Sequence, residues 1–197
     1  RLLKRQIEAS VHGVVPCAVT GESPTFTDAE WVWIAQRTLD LCRGTSTAVM
    51  VGVNSNSTRR VIEMVQEAKK LGATSVLAVA PYFNRPNQAS LVHHFSLIAQ
   101  ANPETEIMLY HAPGRSGVGF TASTVVELSR HPNIIGLKDG HGDPDLQRAV
   151  LEGVDRSSFA YLSGDDPSSL TTWALGGSGS VSVASNIDPR GMVSLWK

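Results

Sequence analysis

The feature that most constrains the fold is a strict alternation between short apolar runs and amphipathic segments along the chain. The apolar runs are bounded by turn residues, which is typical of strands buried on both faces. We predict a strand in each of seven runs, at residues 14–19, 48–53, 75–80, 106–110, 134–138, 159–163 and 180–184. The segments between them are predicted to be helices, so a βα unit repeats through the chain.

Helix start and stop signals support this alternation. Residues 27–30 form a capping box, and Gly44 follows the helix that it opens. Apolar residues at helical spacing predict a second helix at residues 58–71. Asp143 and Asp166 each precede a proline, so each is predicted to be the N-cap of a further helix.

A strict βα alternation predicts a parallel sheet with helical crossovers, either an open doubly wound sheet or a closed barrel. No Gly-x-Gly-x-x-Gly follows the first predicted strand, and its absence disfavours a dinucleotide-binding fold. The repeat length is also compatible with the barrel average of about 31 residues per unit. Polar residues cluster directly after the strands, and in a barrel these positions meet at the face that carries the active site. We therefore predict an α/β fold, a (β/α)8 (TIM) barrel.

A closed barrel of this class needs eight strands, and the sequence predicts seven. The chain also opens on RLLKRQIEAS, which is typical of a helix interior, and ends on GMVSLWK, which is typical of a helix start. We therefore expect residues 1–197 to form a single (β/α)8-barrel domain that is truncated, without its first strand and its C-terminal helices.

Composition argues against several classes of function. A formal net charge of -1 gives no basic surface for nucleic acid, and the apolar runs are too short to span a membrane. The two cysteines, Cys17 and Cys42, indicate no disulfide framework, so we expect a cytoplasmic location. The six histidines are scattered, so we predict no metal site.

The run IIGLKD, at residues 134–139, begins like a buried strand and ends on a charged side chain. Period-2 alternation predicts that Lys138, Gly136 and Ile134 point into the barrel, while Ile135 and Leu137 face the helices. The alternative interpretation is that Lys138 is solvated at the tip of its strand.

Three other polar side chains are predicted to share an opening with Lys138. Tyr110 ends the preceding strand and should lie beside the lysine, Thr20 ends the first strand across the mouth, and Arg115 lies in the loop after Tyr110. Burial lowers the pKa of a lysine, and the neutral amine is the nucleophile of Schiff-base chemistry on a keto acid. Taken singly, the tyrosine could be a core residue and the arginine a surface residue.

Five motifs carry a resemblance to a known family: TGES (20–23), PYFNRP (81–86), YHAPGRSG (110–117), IIGLKD (134–139) and LSGDD (162–166). In order and spacing they resemble the dihydrodipicolinate synthase / N-acetylneuraminate lyase family over essentially the whole chain. The resemblance implies a (β/α)8 barrel, class I aldolase chemistry through a Schiff base with pyruvate and no other cofactor. It also implies a homo-oligomer, a dimer or a tetramer.

The resemblance assigns roles to individual residues. Lys138 matches the Schiff-base lysine, Tyr110 the proton-shuttling tyrosine, and Thr20 a residue that holds the pyruvate carboxylate. Arg115 matches the arginine that binds the carboxylate of aspartate semialdehyde in the synthase branch, within a lysine-biosynthetic reaction. Three further positions match residues that line the pocket: Gly164, Asp165 and Val181.

Two positions depart from the synthase pattern. Val19 and Phe83 stand where synthases usually have a threonine and a tyrosine that complete the proton relay with the residue matched by Tyr110. Neither side chain can donate or accept a proton. The site for feedback inhibition by lysine is altered as well, because Asn56 is kept but Arg60 stands at a glutamate position.

Three functions therefore remain open. The first is a lyase or synthase that condenses pyruvate with an aldehyde, of the dihydrodipicolinate synthase kind. The second is an aldolase or dehydratase that acts on 2-keto-3-deoxy sugar acids, or an enzyme like N-acetylneuraminate lyase. The third is a relative that binds a keto acid without turning it over. The sequence does not identify the aldehyde.

Overall fold

A computed structural model describes residues 1–197 and contains a single sheet of seven strands, β1 to β7, arranged in sequence order. The strands are β1 (Gly13–Val14), β2 (Ala48–Gly52), β3 (Ser75–Val79), β4 (Glu106–His111), β5 (Ile134–Asp139), β6 (Ala160–Ser163) and β7 (Gly179–Ser180). The α-helices are α1 (Leu2–Glu8), α2 (Asp28–Cys42), α3 (Thr58–Lys70), α4 (Gln88–Ala101), α5 (Pro113–Ser116), α6 (Ala122–Leu128), α7 (Pro144–Gly153), α8 (Ser169–Ala174) and α9 (Pro189–Trp196). Every strand pairs in parallel with the next, and a helix lies in each crossover, so the predicted barrel architecture is confirmed.

The sheet has an apolar cluster on each face. The outer cluster lies between sheet and helices and includes Val76 and Ala78 of β3 with Phe95 of α4. The inner cluster contains Leu77 and Val79 of the same strand. Successive residues of β3 thus alternate between the two clusters, and this is why its sequence is apolar throughout.

Side-chain caps fix several helix starts. Thr27 and Glu30 form the predicted capping box at the start of α2, and Asp143 accepts two amides at the start of α7. The prediction for Asp166 was wrong, because it begins a 3-10 turn, Asp166–Ser168, and α8 starts after it. None of the helices combines the length and apolar character that a membrane crossing requires.

The predicted orientation of the first two residues of β5 was wrong because the strand contains a β-bulge. Ile107 pairs with Ile134 and Met108 pairs with Gly136, so one extra residue, Ile135, lies between them. Ile134 therefore packs in the outer cluster and Ile135 against the inner one. From Gly136 onward the alternation resumes.

The first and last strands are much shorter than predicted. β1 ends at Val14 because the chain turns away at Pro16 and Cys17, where Cys17 has a φ of 57°. β7 contains only Gly179 and Ser180. The Val181 amide still donates to Ser163 of β6, and the chain then leaves the sheet before a 3-10 turn, Ala184–Asn186. The central strands match the predicted ranges to within one residue at each end.

Candidate active site

Lys138 lies near the carboxyl end of β5 with only 6% of its surface exposed. It pairs in register with Tyr110 on β4, and its Nζ atom lies 4.2 Å from the centre of the Tyr110 ring, over the face of the ring. A cation in this position is attracted by the ring. The structure therefore excludes the alternative of a solvated strand tip.

Burial lowers the pKa of Lys138 from 10.5 to about 8. The positive charge of Arg115 contributes a smaller part of this lowering of the pKa, and the negative charge of Asp166 opposes it. A lysine with this pKa has a reactive neutral fraction near neutral pH, which an ordinary surface lysine lacks.

Tyr110 is also 6% exposed and belongs to the inner cluster. Burial raises the pKa of its phenol, and the nearby charge of Arg115 acts in the opposite direction. Arg115 itself lies on α5, the four-residue helix that Pro113 begins directly after β4. The structure thus brings the lysine, the tyrosine and the arginine together, as the sequence predicted.

Thr20 does not end a strand, contrary to the prediction. It lies in a 3-10 turn, Val19–Gly21, and is exposed. Val19 is half-buried and packs against the inner cluster. Thr20 lies in a loop because the chain turns at Cys17. The carbonyl group of Cys17 lies so close to Gly52 that a side chain on Gly52 would overlap it. The loop, rather than a strand, therefore carries the TGES motif.

Gly164 lies directly against the stem of Lys138. A Cβ atom placed on Gly164 would lie 2.7 Å from Cε of Lys138 and 3.1 Å from the carbonyl oxygen of Asp139. The Gly164 amide donates to that same oxygen, and the Val181 amide donates to Ser163. The absence of a side chain at Gly164 is therefore what leaves room for the lysine.

The loop after β6 is held by hydroxyl groups. The carbonyl oxygen of Asp165 accepts hydrogen bonds from Ser163, Ser168 and Ser169, at 2.7, 3.0 and 3.2 Å. Asp165 and Val181 are both half-buried, at the ends of β6 and β7. The three positions that match pocket-lining residues, Gly164, Asp165 and Val181, therefore lie directly after the neighbouring strands β6 and β7.

Phe83 is 90% exposed and has a φ of 69°, in the left-handed region that L side chains rarely adopt. It lies in the loop after β3, next to Asn84, whose side chain donates to the carbonyl oxygen of Asn56. Tyr82, in contrast, packs against the inner cluster. Phe83 is therefore largely in contact with solvent rather than packed against the rest of this chain.

Arg60 forms ion pairs with Asp28 and with Glu63 on the same helix. Asn56 lies on the preceding loop and contacts Asn84 at 3.4 Å. Two carboxylates thus offset the charge of Arg60, a feature that the sequence analysis did not include.

Three buried residues behind the lysine were missed by the sequence analysis. The carboxylate of Asp139 is 2% exposed and accepts hydrogen bonds from the amides of His141 and Gly142 and from the Tyr161 hydroxyl at 2.8 Å. His111 lies 4.0 Å away and accepts the Phe120 amide at Nδ1. Asp139 and His111 each follow a site residue in sequence, so the doublets Lys-Asp and Tyr-His are the signal that could have identified them.

The arrangement of the side chains around Lys138 suits covalent chemistry. No three His, Cys, Asp or Glu side chains are grouped so that they could hold a metal ion. The groups that the mouth does present are an amine, a phenol and a guanidinium. An amine of lowered pKa next to a proton-transferring phenol is the set that imine formation requires.

A family model described as the dihydrodipicolinate synthetase family matches residues 1–197. The chain is 40% identical over 191 residues to the 4-hydroxy-tetrahydrodipicolinate synthase of Methanosphaerula palustris, covering 97% of this chain and 65% of that protein. It is 41% identical over 190 residues to that of Gluconobacter oxydans, covering 96% and 63%. The chain thus spans less than two thirds of the length of these curated relatives.

Solved structures show the same similarity. Dihydrodipicolinate synthase from Cyanidioschyzon merolae with lysine bound superposes with a TM-score of 0.95 at 35% identity, over 98% of this chain and 65% of that one. The chloride-inhibited enzyme of Acinetobacter baumannii complexed with pyruvate gives 0.94 at 34% identity, over 98% and 66%. A monomeric dihydrodipicolinate synthase variant also gives 0.94, at 35% identity over 99% and 65%.

Proposed function

The chain belongs to the dihydrodipicolinate synthetase family, and from that premise we propose that it condenses pyruvate with an aldehyde through a Schiff base on Lys138. The preferred aldehyde is L-aspartate-4-semialdehyde, which makes the reaction that of a 4-hydroxy-tetrahydrodipicolinate synthase in lysine biosynthesis. Curated relatives of that name are 40% and 38% identical to the chain. We propose no cofactor other than the covalent imine.

The observation that carries this proposal is the position of the Lys138 amine. It is buried, its pKa is lowered to about 8, and it lies 4.2 Å from the centre of the Tyr110 ring. Burying an unpaired lysine costs folding free energy, so a chain has no structural reason to place one there. Nucleophilic catalysis is a reason, because it needs the neutral amine.

The proposed reaction uses the Lys138 amine as the nucleophile and the Tyr110 phenol as the proton carrier. The neutral amine of Lys138 attacks the ketone carbon of pyruvate, and loss of water gives an iminium ion. Loss of a methyl proton then gives an enamine, whose carbon forms the new bond to the aldehyde carbon. Tyr110 accepts and returns the protons. Water or the amine of the second substrate finally adds to the imine carbon and releases Lys138.

The carboxylates of the two substrates need partners at the same mouth. In our proposal Thr20 and the amides of its turn hold the carboxylate of pyruvate, and the exposed guanidinium of Arg115 holds that of the aldehyde. Gly164, Asp165 and Val181 form the wall of the pocket. Arg115 acts on the pKa of both Lys138 and Tyr110, which supports its place beside the reacting atoms.

A second candidate is favoured by Val19 and Phe83. Val19 packs against the inner cluster without a hydroxyl group, and Phe83 is exposed. A relay altered at both positions suits an aldolase or dehydratase on 2-keto-3-deoxy sugar acids, whose substrate hydroxyls can themselves carry protons. A keto-acid-binding relative without turnover is the non-enzymatic alternative.

Turnover separates these candidates. We expect the purified protein to consume pyruvate together with aspartate semialdehyde, and to release little pyruvate from 2-keto-3-deoxy sugar acids or N-acetylneuraminate. Arg115→Gln should raise KM for the semialdehyde and leave imine formation with pyruvate in place. Release of pyruvate from a sugar acid as the faster reaction would support the second candidate instead.

The missing hydroxyl at Val19 predicts a gain of function. Val19→Thr should raise kcat for the condensation by about tenfold or more, because a general acid–base group typically contributes at least about a hundredfold. Val19→Ala, which changes packing without adding a hydroxyl, is the matched control. Equal rates for Val19→Thr and the natural chain would show that the relay does not limit turnover.

We also propose that residues 1–197 act as one domain and that the protein works in the cytoplasm as a homo-oligomer, a dimer or a tetramer. Phe83, which is 90% exposed in the loop after β3, is a side chain that such an interface would cover. Sedimentation of the natural chain and of Phe83→Ser tests this. A monomer in both cases would contradict it.

A further inference from the structure

The segment that carries Arg115 is held at its far end by a side chain from another part of the chain. Gln88 is the first residue of α4, which begins after the loop that follows β3. Its Nε2 atom donates to the carbonyl oxygen of Gly119 at 2.9 Å, and its Oε1 atom accepts the Thr121 amide at 3.1 Å. The same oxygen accepts the Thr124 hydroxyl at 2.8 Å. Both ends of one side-chain amide thus bind the segment that follows Arg115.

His111 holds the residue between these two backbone groups. Its Nδ1 atom accepts the Phe120 amide at 3.0 Å, and His111 is only 3% exposed. Phe120 is itself buried and packs against Phe95 of α4, with the ring centres 5.4 Å apart. Because His111 ends β4, its side chain closes residues 112–119 into a loop whose two ends meet. We call these residues the Arg115 loop.

The interior of the Arg115 loop contains little that could fix it without these contacts. Its helix, α5, is a single turn of four residues. One buried side chain within the loop, Ser116, donates to the carbonyl oxygens of Ala112 and Val118, at 3.0 and 2.6 Å. A single helical turn is not stable by itself, since nucleation costs more free energy than its first hydrogen bonds supply. The position of Arg115 therefore depends on the contacts at the end of the loop.

The segment after β3 contacts the Arg115 loop at a second point. The side chain of Arg85 lies against Gly117, where an added Cβ atom would be 2.8 Å from Nε of the arginine. The strands β3 and β4 already pair along their length, so the sheet does not need a bridge between the loops that follow them. The bridge that Gln88 makes is therefore suited to a different task, which is to fix the Arg115 loop.

We propose that Gln88 is a positioning residue for the second substrate: its amide holds the Arg115 loop so that the guanidinium lies where the carboxylate of the aldehyde binds. The inference rests on the proposed function, because it takes Arg115 as the partner of that carboxylate. Gln88 touches neither substrate nor the reacting atoms in this role. A side chain that is ordered before binding loses less freedom when the substrate binds, so Gln88 should set the affinity for the aldehyde.

Gln88→Met removes all three hydrogen bonds and keeps the approximate length of the side chain. We expect KM for aspartate semialdehyde to rise by about tenfold, because a displacement of about 1 Å can cost up to about a hundredfold. Imine formation with pyruvate does not use Arg115, so borohydride trapping of pyruvate should keep its natural rate. A general loss of folded protein would lower both activities together, so this split separates positioning from stability.

The combination with Arg115→Gln tests whether Gln88 acts through the arginine. Once the guanidinium is absent, Gln88→Met should raise KM no further, because two residues that act as one unit are not additive. If Gln88→Met does not fold, Gln88→Glu takes its place. That variant keeps the two accepted hydrogen bonds and loses the donated one, so it should raise KM in the same direction.

The matched control is Gln147→Met on α7. Gln147 is 2% exposed, and its Nε2 atom donates to the carbonyl oxygen of Thr172 on α8 at 2.8 Å. The control therefore makes the same substitution and also removes a hydrogen bond from a side-chain amide to the backbone, but outside the Arg115 loop. We expect it to keep the natural KM for the semialdehyde.

The outcomes distinguish this inference from the proposed function. An unchanged KM in Gln88→Met, a rise that also occurs in the Arg115→Gln background, or an equal loss of pyruvate trapping overturns the positioning role. A natural KM in Arg115→Gln overturns the proposed role of Arg115 and this inference with it. A folded natural chain that traps no pyruvate overturns the proposed function itself. A KM that rises for the semialdehyde alone, and only while Arg115 is present, supports the role of Gln88.

Discussion

Lys138 places a destabilising charge in the interior of the sheet. Because its pKa falls from 10.5 to about 8, the protonated form is disfavoured in the folded chain by about 3 kcal/mol, at roughly 1.4 kcal/mol per pKa unit. The folded state binds fewer protons than the unfolded state between these two pKa values, so stability rises with pH across that window. Below pH 8 the full cost is present.

Lys138→Met should therefore stabilise the protein while abolishing imine formation. We expect a gain of about 2 to 3 kcal/mol in the free energy of unfolding at pH 7, because methionine fills the space without a charge. The gain should shrink as the pH rises from 8 to 10. Urea unfolding at pH 7 and pH 9.5 measures both quantities, and a destabilised variant at pH 7 would contradict the argument.

Gly164 fixes the stem of Lys138 through close contact. Gly164→Ala would place a Cβ atom 2.7 Å from Cε of the lysine and 3.0 Å from its Cγ, so the amine must move. A displacement of about 1 Å can cost about a hundredfold in rate, and we expect pyruvate trapping to slow by about that factor. Gly114→Ala is the control, since its Cβ atom would meet nothing within 4 Å. Equal trapping rates for both variants would refute the role of Gly164.

At the scale of elements, β5 carries Lys138 and contains a β-bulge that the alternation of apolar residues in its sequence does not reveal. The period-2 pattern predicted that Ile134 faces inward, but the register with β4 skips Ile135 and reverses that orientation. A bulge depends on the pairing of two strands, and one strand's sequence does not contain its partner's register. Lys138 nevertheless faces the mouth because the alternation resumes at Gly136.

Gly136 lies where the backbone of β6 leaves no room for a side chain on β5. A Cβ atom there would lie 2.3 Å from the carbonyl oxygen of Ala160, which is backbone and cannot rotate away. We expect Gly136→Ala to destabilise the fold by about 2 to 3 kcal/mol through overpacking. Urea unfolding against the same Gly114→Ala control measures this, and a loss below about 0.5 kcal/mol would show that the strands adjust freely.

The sequence predicted the bounds of the central strands well and those of the first and last strands poorly. Strands β2 to β6 are apolar runs bounded by turn residues, so pattern and structure agree. The run at residues 14–19 is apolar too, but a left-handed residue at Cys17 breaks it, and no propensity anticipates a cysteine with a φ of 57°. Thr20 was misplaced for that reason, whereas Lys138 and Tyr110 lie on strands whose pattern is regular.

Buried polar groups were the other gap in the sequence-based prediction of the site. Asp139 and Tyr161 are far apart in sequence, and their hydrogen bond exists only because β5 and β6 are neighbours. The two amides that Asp139 accepts belong to the loop it precedes, so it secures the chain directly after Lys138. Such tertiary pairs are visible only when the order of strands in the sheet is known.

At the scale of the whole molecule, the ends of neighbouring strands assemble one mouth. Tyr110 comes from β4, Lys138 from β5 and Gly164 from the end of β6, and each occupies its place because consecutive strands pair in parallel. In a parallel barrel all carboxyl ends meet at one face. A net charge of -1 over 197 residues adds no strong overall field, so local groups set the electrostatics of this mouth.

The most direct test of the central claim is borohydride trapping with pyruvate, read by intact mass, on the folded protein and on Lys138→Ala. We expect the natural chain to gain the mass of one reduced pyruvate, and we expect Lys138→Ala to gain none. The trapping rate should rise with pH around a midpoint near the Lys138 pKa of about 8. A folded natural chain without an adduct, or an adduct that survives in Lys138→Ala, would contradict the assignment of Lys138 as the Schiff-base residue.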